Sequence, residues 1–101
     1  MKYRKKIDLV ADILNVAINN SKKTRIMYSG NLSFVLLNNY LELLTKADLL
    51  RFNSTNRLYS TTEKGEKFLK VYNDYKNNMQ TSTRVLEILE GKKNQLEQMF
   101  S

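Results

Sequence analysis

At Leu49 the hydrophobic period of the chain changes, and that change limits the folds open to it. Upstream, apolar residues recur at steps of three and four, the spacing of an amphipathic helix. From Leu49 the pattern shortens to two strand-like runs, Leu49-Leu50-Arg51-Phe52-Asn53 and Arg57-Leu58-Tyr59-Ser60. The polar stretch Ser54-Thr55-Asn56 between them predicts a hairpin turn, because Asn accepts a positive φ. Thr61-Thr62-Glu63 then restarts a helix, with a threonine to cap it and an acid where the helix dipole favours one. Proline is absent and glycine occurs 3 times in 101 residues, so little else breaks the helices. The expected fold is mainly α with one small β-hairpin.

Three helical stretches precede the hairpin. Ile7, Val10, Ala11, Leu14, Ala17 and Ile18 line one face of a helix from about Arg4 to Asn19, with Asn19-Asn20-Ser21 as its stop. A short segment, Thr24 to Tyr28, ends in the turn Ser29-Gly30-Asn31. A third, strongly apolar helix runs from Ser33 to about Lys46. The Ser33 hydroxyl suits an N-cap, and Leu32 with Leu37 suits a hydrophobic staple. Leu36, Tyr40, Leu43 and Leu44 are the expected buried stripe. That leaves Ser33, Phe34, Leu37, Asn38 and Leu41 exposed, with Asn39 at the edge.

The tail carries a different pattern. Positions 68, 72, 75, 79, 82, 86, 89, 93, 96 and 100 alternate in steps of four and three, and eight of the ten are apolar. Such spacing is a coiled-coil seam. It is met by one long C-terminal helix that pairs with a second copy through Tyr72, Tyr75, Met79, Leu86, Leu89 and Leu96. It is also met by two helices broken near Thr81-Ser82-Thr83 and folded together. The long helix is the expectation, with residues 1–62 as one unit of three helices and the hairpin and 63–101 as a dimerisation helix.

Composition narrows the function. With no Cys and no His, there is no thiolate or imidazole for metal binding, nucleophilic attack or general base work. Phosphate-cradling glycine loops and nucleophile elbows are missing as well. The expectation is a non-enzyme with no cofactor, no metal and no small-molecule substrate. No apolar run reaches the ~18 residues that span a membrane. Asp8 and Asp12 break up what would otherwise look like the apolar part of a signal peptide. An intracellular, soluble protein, cytoplasmic in location, is expected. The net charge is +7, and residues 1–60 hold ten basic and four acidic side chains, so +6 of it lies there. A basic first half points to an anionic partner.

Helix, short helix, turn, helix and hairpin is the order of a winged helix-turn-helix. In that fold the third helix enters the DNA major groove and the wing lies over the backbone. The residues carry a more specific likeness. Lys23-Thr24-Arg25-Ile26-Met27-Tyr28, Asn31-Leu32-Ser33, Tyr40-Leu41 and Leu44 form one part of it. Tyr59-x-x-Thr62-x-Lys64-Gly65 with Phe68-Leu69 forms the other. Together they resemble archaeal winged-helix proteins, in particular the small dimeric DNA-binding proteins of the crenarchaeal ten-kilodalton chromatin class. The resemblance implies a winged helix on each protomer and an antiparallel coiled coil between the C-terminal helices.

Double-stranded DNA and a second copy of the chain are thus the expected partners, in chromatin or in transcriptional regulation. Lys22, Lys23 and Arg25 are candidate phosphate contacts, as are Lys2, Arg4, Lys5 and Lys6. Ser33, Phe34, Leu37, Asn38 and Asn39 are the candidate groove face, with Asn suited to adenine and Phe34 or Leu37 to a thymine methyl. No Lys or Arg lies between Ile26 and Thr45, so an A·T-leaning preference is expected. Arg57 at the wing is the candidate for a minor groove or a phosphate. The alternative is a protein–protein interaction module, motivated by the apolar, Arg-free third helix.

Overall fold

The computed structural model describes residues 6–77 and 83–100, with side chains placed over 6–77 and 90–100. The order is α1 (Lys6–Ala17), α2 (Lys23–Gly30), α3 (Phe34–Lys46), β1 (Leu50–Asn53), β2 (Leu58–Thr61), α4 (Glu63–Asn77) and α5 (Thr83–Phe100). The strands form one antiparallel hairpin with Leu50 opposite Thr61 and Phe52 opposite Tyr59. α1 is the centre of the core. Its Ile7, Val10, Ala11, Ile13, Leu14 and Ala17 are all buried, and α2, α4 and β2 pack around it. No helix among the described residues is long and apolar enough to cross a membrane.

The element ends follow from side-chain chemistry. Three helices are followed within three residues by a residue of positive φ, and none of these is glycine: Asn20, Asn31 and Asp48. Asn and Asp tolerate the left-handed region better than other L-residues. At Asn31, the Leu32 N–H reaches back to the Met27 carbonyl at 3.0 Å, closing the α2 end. α3 begins as expected, with Ser33 Oγ accepting from the Leu36 N–H at 3.2 Å. α2 is longer than the expected segment and takes in Ser29 and Gly30.

The Thr62-x-Lys64-Gly65 motif is a welded corner. Thr62 Oγ1 accepts from the Gly65 N–H at 3.1 Å and donates to the Asp48 carbonyl at 2.6 Å. Lys64 Nζ donates to the Ala47 carbonyl at 2.7 Å, placing a cation at the α3 C-terminus, where the dipole favours one. Gly65 lies so close to β1 that an added Cβ would fall 2.5 Å from the Leu49 carbonyl oxygen.

Two expectations are corrected. The first concerns the phase of α3. Leu37, Leu41 and Leu44 are the buried stripe, while Leu36 is exposed and Tyr40 and Leu43 are half-buried. Leu37 is therefore a core residue with no exposed surface, not part of the groove face. The run Phe34-Val35-Leu36-Leu37 is apolar on every side, so helical spacing alone fits two phases. Packing against the rest of the core selects the stripe at steps of four and three from Leu37.

The second concerns the tail, which is not one long helix. α4 stops at Asn77, α5 starts at Thr83, and the two pack on each other. The Phe68 and Phe100 ring centroids are 6.1 Å apart. In a continuous helix the rise per residue would separate them by about 48 Å. Tyr75, Leu96 and Phe100 are buried within the chain and Tyr72 is half-buried. An antiparallel pair within one chain buries the same four–three seam as a pair of long helices, and it does so without a second copy. Met79 and the side chains of Leu86 and Leu89 lie outside the described residues. Phe68 and Leu69 share the core with α1, so that core extends past residue 62.

A polar lock joins α1 to α4. Tyr72 Oη donates to Asp8 Oδ1 at 2.5 Å, and Lys76 Nζ lies 3.6 Å from the same oxygen. Burial above all, then the bond to Asp8, raises the Tyr72 pKa above its ordinary value, so the phenol stays a donor at neutral pH. Tyr72→Phe is expected to cost about 1.5–3 kcal/mol, the worth of a hydrogen bond to a charged partner, read as a lower denaturation midpoint. Because folding raises this pKa, the contribution is complete below the ordinary tyrosine value. It falls as pH rises through the folded one.

Candidate nucleic-acid interface

The α1–α2 loop and the wing are joined by backbone. Ser21 N–H donates to the Tyr59 carbonyl at 3.0 Å, and Tyr59 N–H donates to the Ser21 carbonyl at 2.8 Å. Ser21 is buried, and its hydroxyl donates to the Val16 carbonyl at 2.8 Å. This bridge places the start of α2 beside the hairpin. A cleft opens between them, lined by Lys22, Lys23 and Thr24 on one wall and by Phe52, Asn56, Arg57 and Tyr59 on the other. The Phe52 and Tyr59 rings, 4.8 Å apart, stiffen the wing wall. Burial raises the Tyr59 pKa, so that hydroxyl is neutral. The titratable groups that carry charge at this cleft are cations.

Arg57 reaches the cleft through a strained turn. The loop runs over residues 54–57, and Arg57 itself takes φ 58°, not Asn56 as the sequence suggests. Asn56 Oδ1 instead accepts from the Leu58 N–H at 3.1 Å, and Asn53 Oδ1 accepts from the Thr55 N–H at 2.9 Å. These two local bonds hold the turn in a shape that costs an L-residue about 1 kcal/mol. The guanidinium is thus held at the wing tip at some cost to the fold.

The outward face of α3 is a stripe of Val35, Asn39, Glu42 and Lys46, spaced four, three and four and exposed throughout. It lies opposite Leu37, Leu41 and Leu44. Glu42 and Lys46 pair at 3.0 Å. Phe34 stands at the helix start, 62% exposed, with Lys23 Nζ 4.7 Å from its ring centroid. That cation–π contact ties the basic cleft to the α3 face.

The expected site residues are thus sorted. Lys22, Lys23 and Arg57 meet at one cleft, Arg25 is exposed on α2, and Phe34 and Asn39 are exposed on α3. Asn38 is half-buried in a shallow groove with Leu41, Glu42, Thr45, Lys46, Phe52 and Tyr59. Ser33 is exposed but occupied as the cap of α3, and Leu37 is in the core. The basic cluster at Lys2, Arg4 and Lys5 lies outside the described residues. Val35, Leu36, Glu42, Lys46 and Thr24 are additions. The first four are legible in principle, once Leu37 rather than Leu36 sets the phase of the helix.

The sequence pattern of the winged helix-turn-helix family matches residues 3–80. No curated protein sequence matches. Among solved structures, the chain is similar to Sso10a-2, a DNA-binding protein from Sulfolobus solfataricus. The TM-score is 0.65 and the identity 22%, over 97% of this chain and 98% of that one. At that identity the likeness is one of fold, and it agrees with the resemblance to small archaeal winged-helix proteins.

Proposed function

The chain belongs to the winged helix-turn-helix family, and from that premise we propose that it binds double-stranded DNA and is not an enzyme. The observation that carries this is the meeting of Lys22, Lys23 and Arg57 across one cleft beside α3. Cations at the start of α2 and at the wing tip, flanking a helix free to enter a groove, suit two phosphate contacts around a base-reading element. The net charge of +7 acts in the same direction over a longer range.

The test is a salt titration of duplex affinity. Binding is expected to weaken linearly in log salt, by about 0.9 per phosphate neutralised. No duplex binding at low salt would overturn the proposal. Arg57→Gly is the sharper variant, because glycine takes the left-handed turn without strain. It is expected to lower affinity several-fold and the salt slope by about one unit, with thermal stability held. Unchanged affinity would take the wing out of the interface.

The finer parts of this reading are proposals of the same kind: a homodimer, a nucleoid location, and a role in chromatin or transcription. Phe68, Tyr75, Leu96 and Phe100 of the seam are buried within one chain, so association through the tail would exchange α5 between two copies and bury the same seam in trans. Light scattering that gives a single-chain mass at all concentrations would overturn the dimer. A footprint that spreads along DNA supports chromatin architecture, and one confined to a site supports regulation. A protein-binding module remains the second reading, favoured by the exposed Phe34, Val35 and Leu36. It predicts no duplex binding.

A further inference from the structure

The first turn of α3 exposes three successive apolar side chains. Phe34 is 62% exposed, Val35 69% and Leu36 38%. The core does not need them, since Leu37, Leu41 and Leu44 supply the buried stripe. In a helix-turn-helix, the N-terminal residues of the recognition helix are those that reach base edges. Beside the donors and acceptors of the base edges, the major groove offers one bulky apolar feature, the thymine C5-methyl group. α3 carries no Arg or Lys before Lys46, so guanine has no bidentate reader at this end. The surroundings are matched to DNA in charge, with Lys22, Lys23 and Arg57 at the neighbouring cleft and Lys23 seated on the Phe34 ring. Asn39 lies one turn beyond Val35 on the same stripe, where it can pair with adenine N6 and N7.

We propose that Val35, flanked by Phe34 and Leu36, reads thymine through its C5-methyl group, so that the protein selects A·T-rich duplexes by methyl contact rather than by hydrogen bonds to guanine. This rests on the DNA-binding reading above and adds the feature of the duplex that is read. The outward placement of Val35 is what α3 gains by burying Leu37 instead of Leu36.

The experiment compares short duplexes of one A·T-rich sequence carrying thymine or uracil, which differ only by the methyl group. Fluorescence anisotropy at low salt is expected to show about fourfold weaker binding for each contacted methyl removed, the worth of one buried methylene-sized group. In a G·C-rich duplex, 5-methylcytosine in place of cytosine is expected to strengthen binding by restoring a methyl at the same ring position. Val35→Ser, at an exposed position, is expected to lose the difference between thymine and uracil while keeping the salt slope, because it removes no phosphate contact. Equal affinity of the wild type for both duplexes would overturn the methyl reading and leave DNA binding standing. A difference that persists undiminished in Val35→Ser would overturn the role of this residue, because the methyl would then be acting through duplex shape. No binding to any duplex would overturn the DNA-binding reading together with this one. Self-association of the wild type that Val35→Ser abolishes, with no preference for thymine, would assign the patch to a second copy and overturn the proposal.

Discussion

Gly65→Ala is expected to lower stability by about 2–3 kcal/mol, although alanine is the better helix former. In isolation the exchange favours the folded state by up to ~1 kcal/mol. Here the new Cβ would sit 2.5 Å from the Leu49 carbonyl oxygen and 2.6 Å from the Thr61 methyl. Backbone cannot yield as a side-chain tip can, so either α4 or β1 must shift. A shift there breaks the corner that Thr62 and Lys64 hold with hydrogen bonds of 2.6 and 2.7 Å. Overpacking of this kind costs about 1–3 kcal/mol and occasionally more. For a domain of this size each kcal/mol moves the melting midpoint by about 4–8 °C. Gly91→Ala is the control. It lies inside α5 with nothing within 4 Å of its added Cβ, and it is expected to raise the midpoint by a few degrees. Opposite signs for two identical substitutions in helices leave the close approach at Leu49 as the cause. A neutral or stabilising Gly65→Ala would mean that α4 and β1 can part at this corner without loss.

The second large effect is on binding. Replacing Lys22, Lys23 and Arg25 together by alanine is expected to weaken duplex binding about 100-fold or more at low salt and to lower the salt slope by about 2–3 units. The loss is expected to be the same on every sequence, because phosphate contacts position the protein without reading bases. The folded state has little at stake. Lys22 and Arg25 are exposed and Lys23 is half-buried. The triple change removes the cation–π pair of Lys23 with Phe34, worth about 0.5–1 kcal/mol. Asn39→Ala supplies the contrast, with an unchanged slope and altered sequence preference. A triple variant with the wild-type slope would move the DNA to another face of the molecule.

Much of the fold is legible in the sequence where one residue type has one job. Ser33 before an apolar helix is a cap, and it caps. The change of period at Leu49 marks a hairpin, and one forms. Legibility fails where two arrangements satisfy the same pattern. Phe34-Val35-Leu36-Leu37 offers an apolar residue to any face, so the phase of α3 is settled only by what packs against it. The four–three spacing from Phe68 to Phe100 serves one helix facing a partner or two helices facing each other. No proline or glycine in residues 77–83 marks the break. At the wing, Asn56 is the better left-handed residue, yet it spends its side chain on the Leu58 N–H and leaves the strained position to Arg57. At the candidate site, the cations are legible as residue types, but the meeting of Lys22 with Arg57 depends on the pairing of Ser21 with Tyr59, for which no local pattern exists.

That pairing makes the two walls of the cleft a fixed gauge. A wing on a free hinge could mould itself to whatever duplex it met and would lose entropy in doing so. Here two backbone hydrogen bonds hold Ser21 to Tyr59, so the backbone that carries the α2 cations and Arg57 is already spaced, and under the DNA-binding proposal the ordering cost of binding is confined to the side chains. The adjustment then falls to the duplex. A stiff double helix whose phosphates do not match the gauge has to bend or change groove width, at a cost that depends on its base steps. Pliant pyrimidine–purine steps near the wing would meet that cost most cheaply, even where no side chain touches their bases.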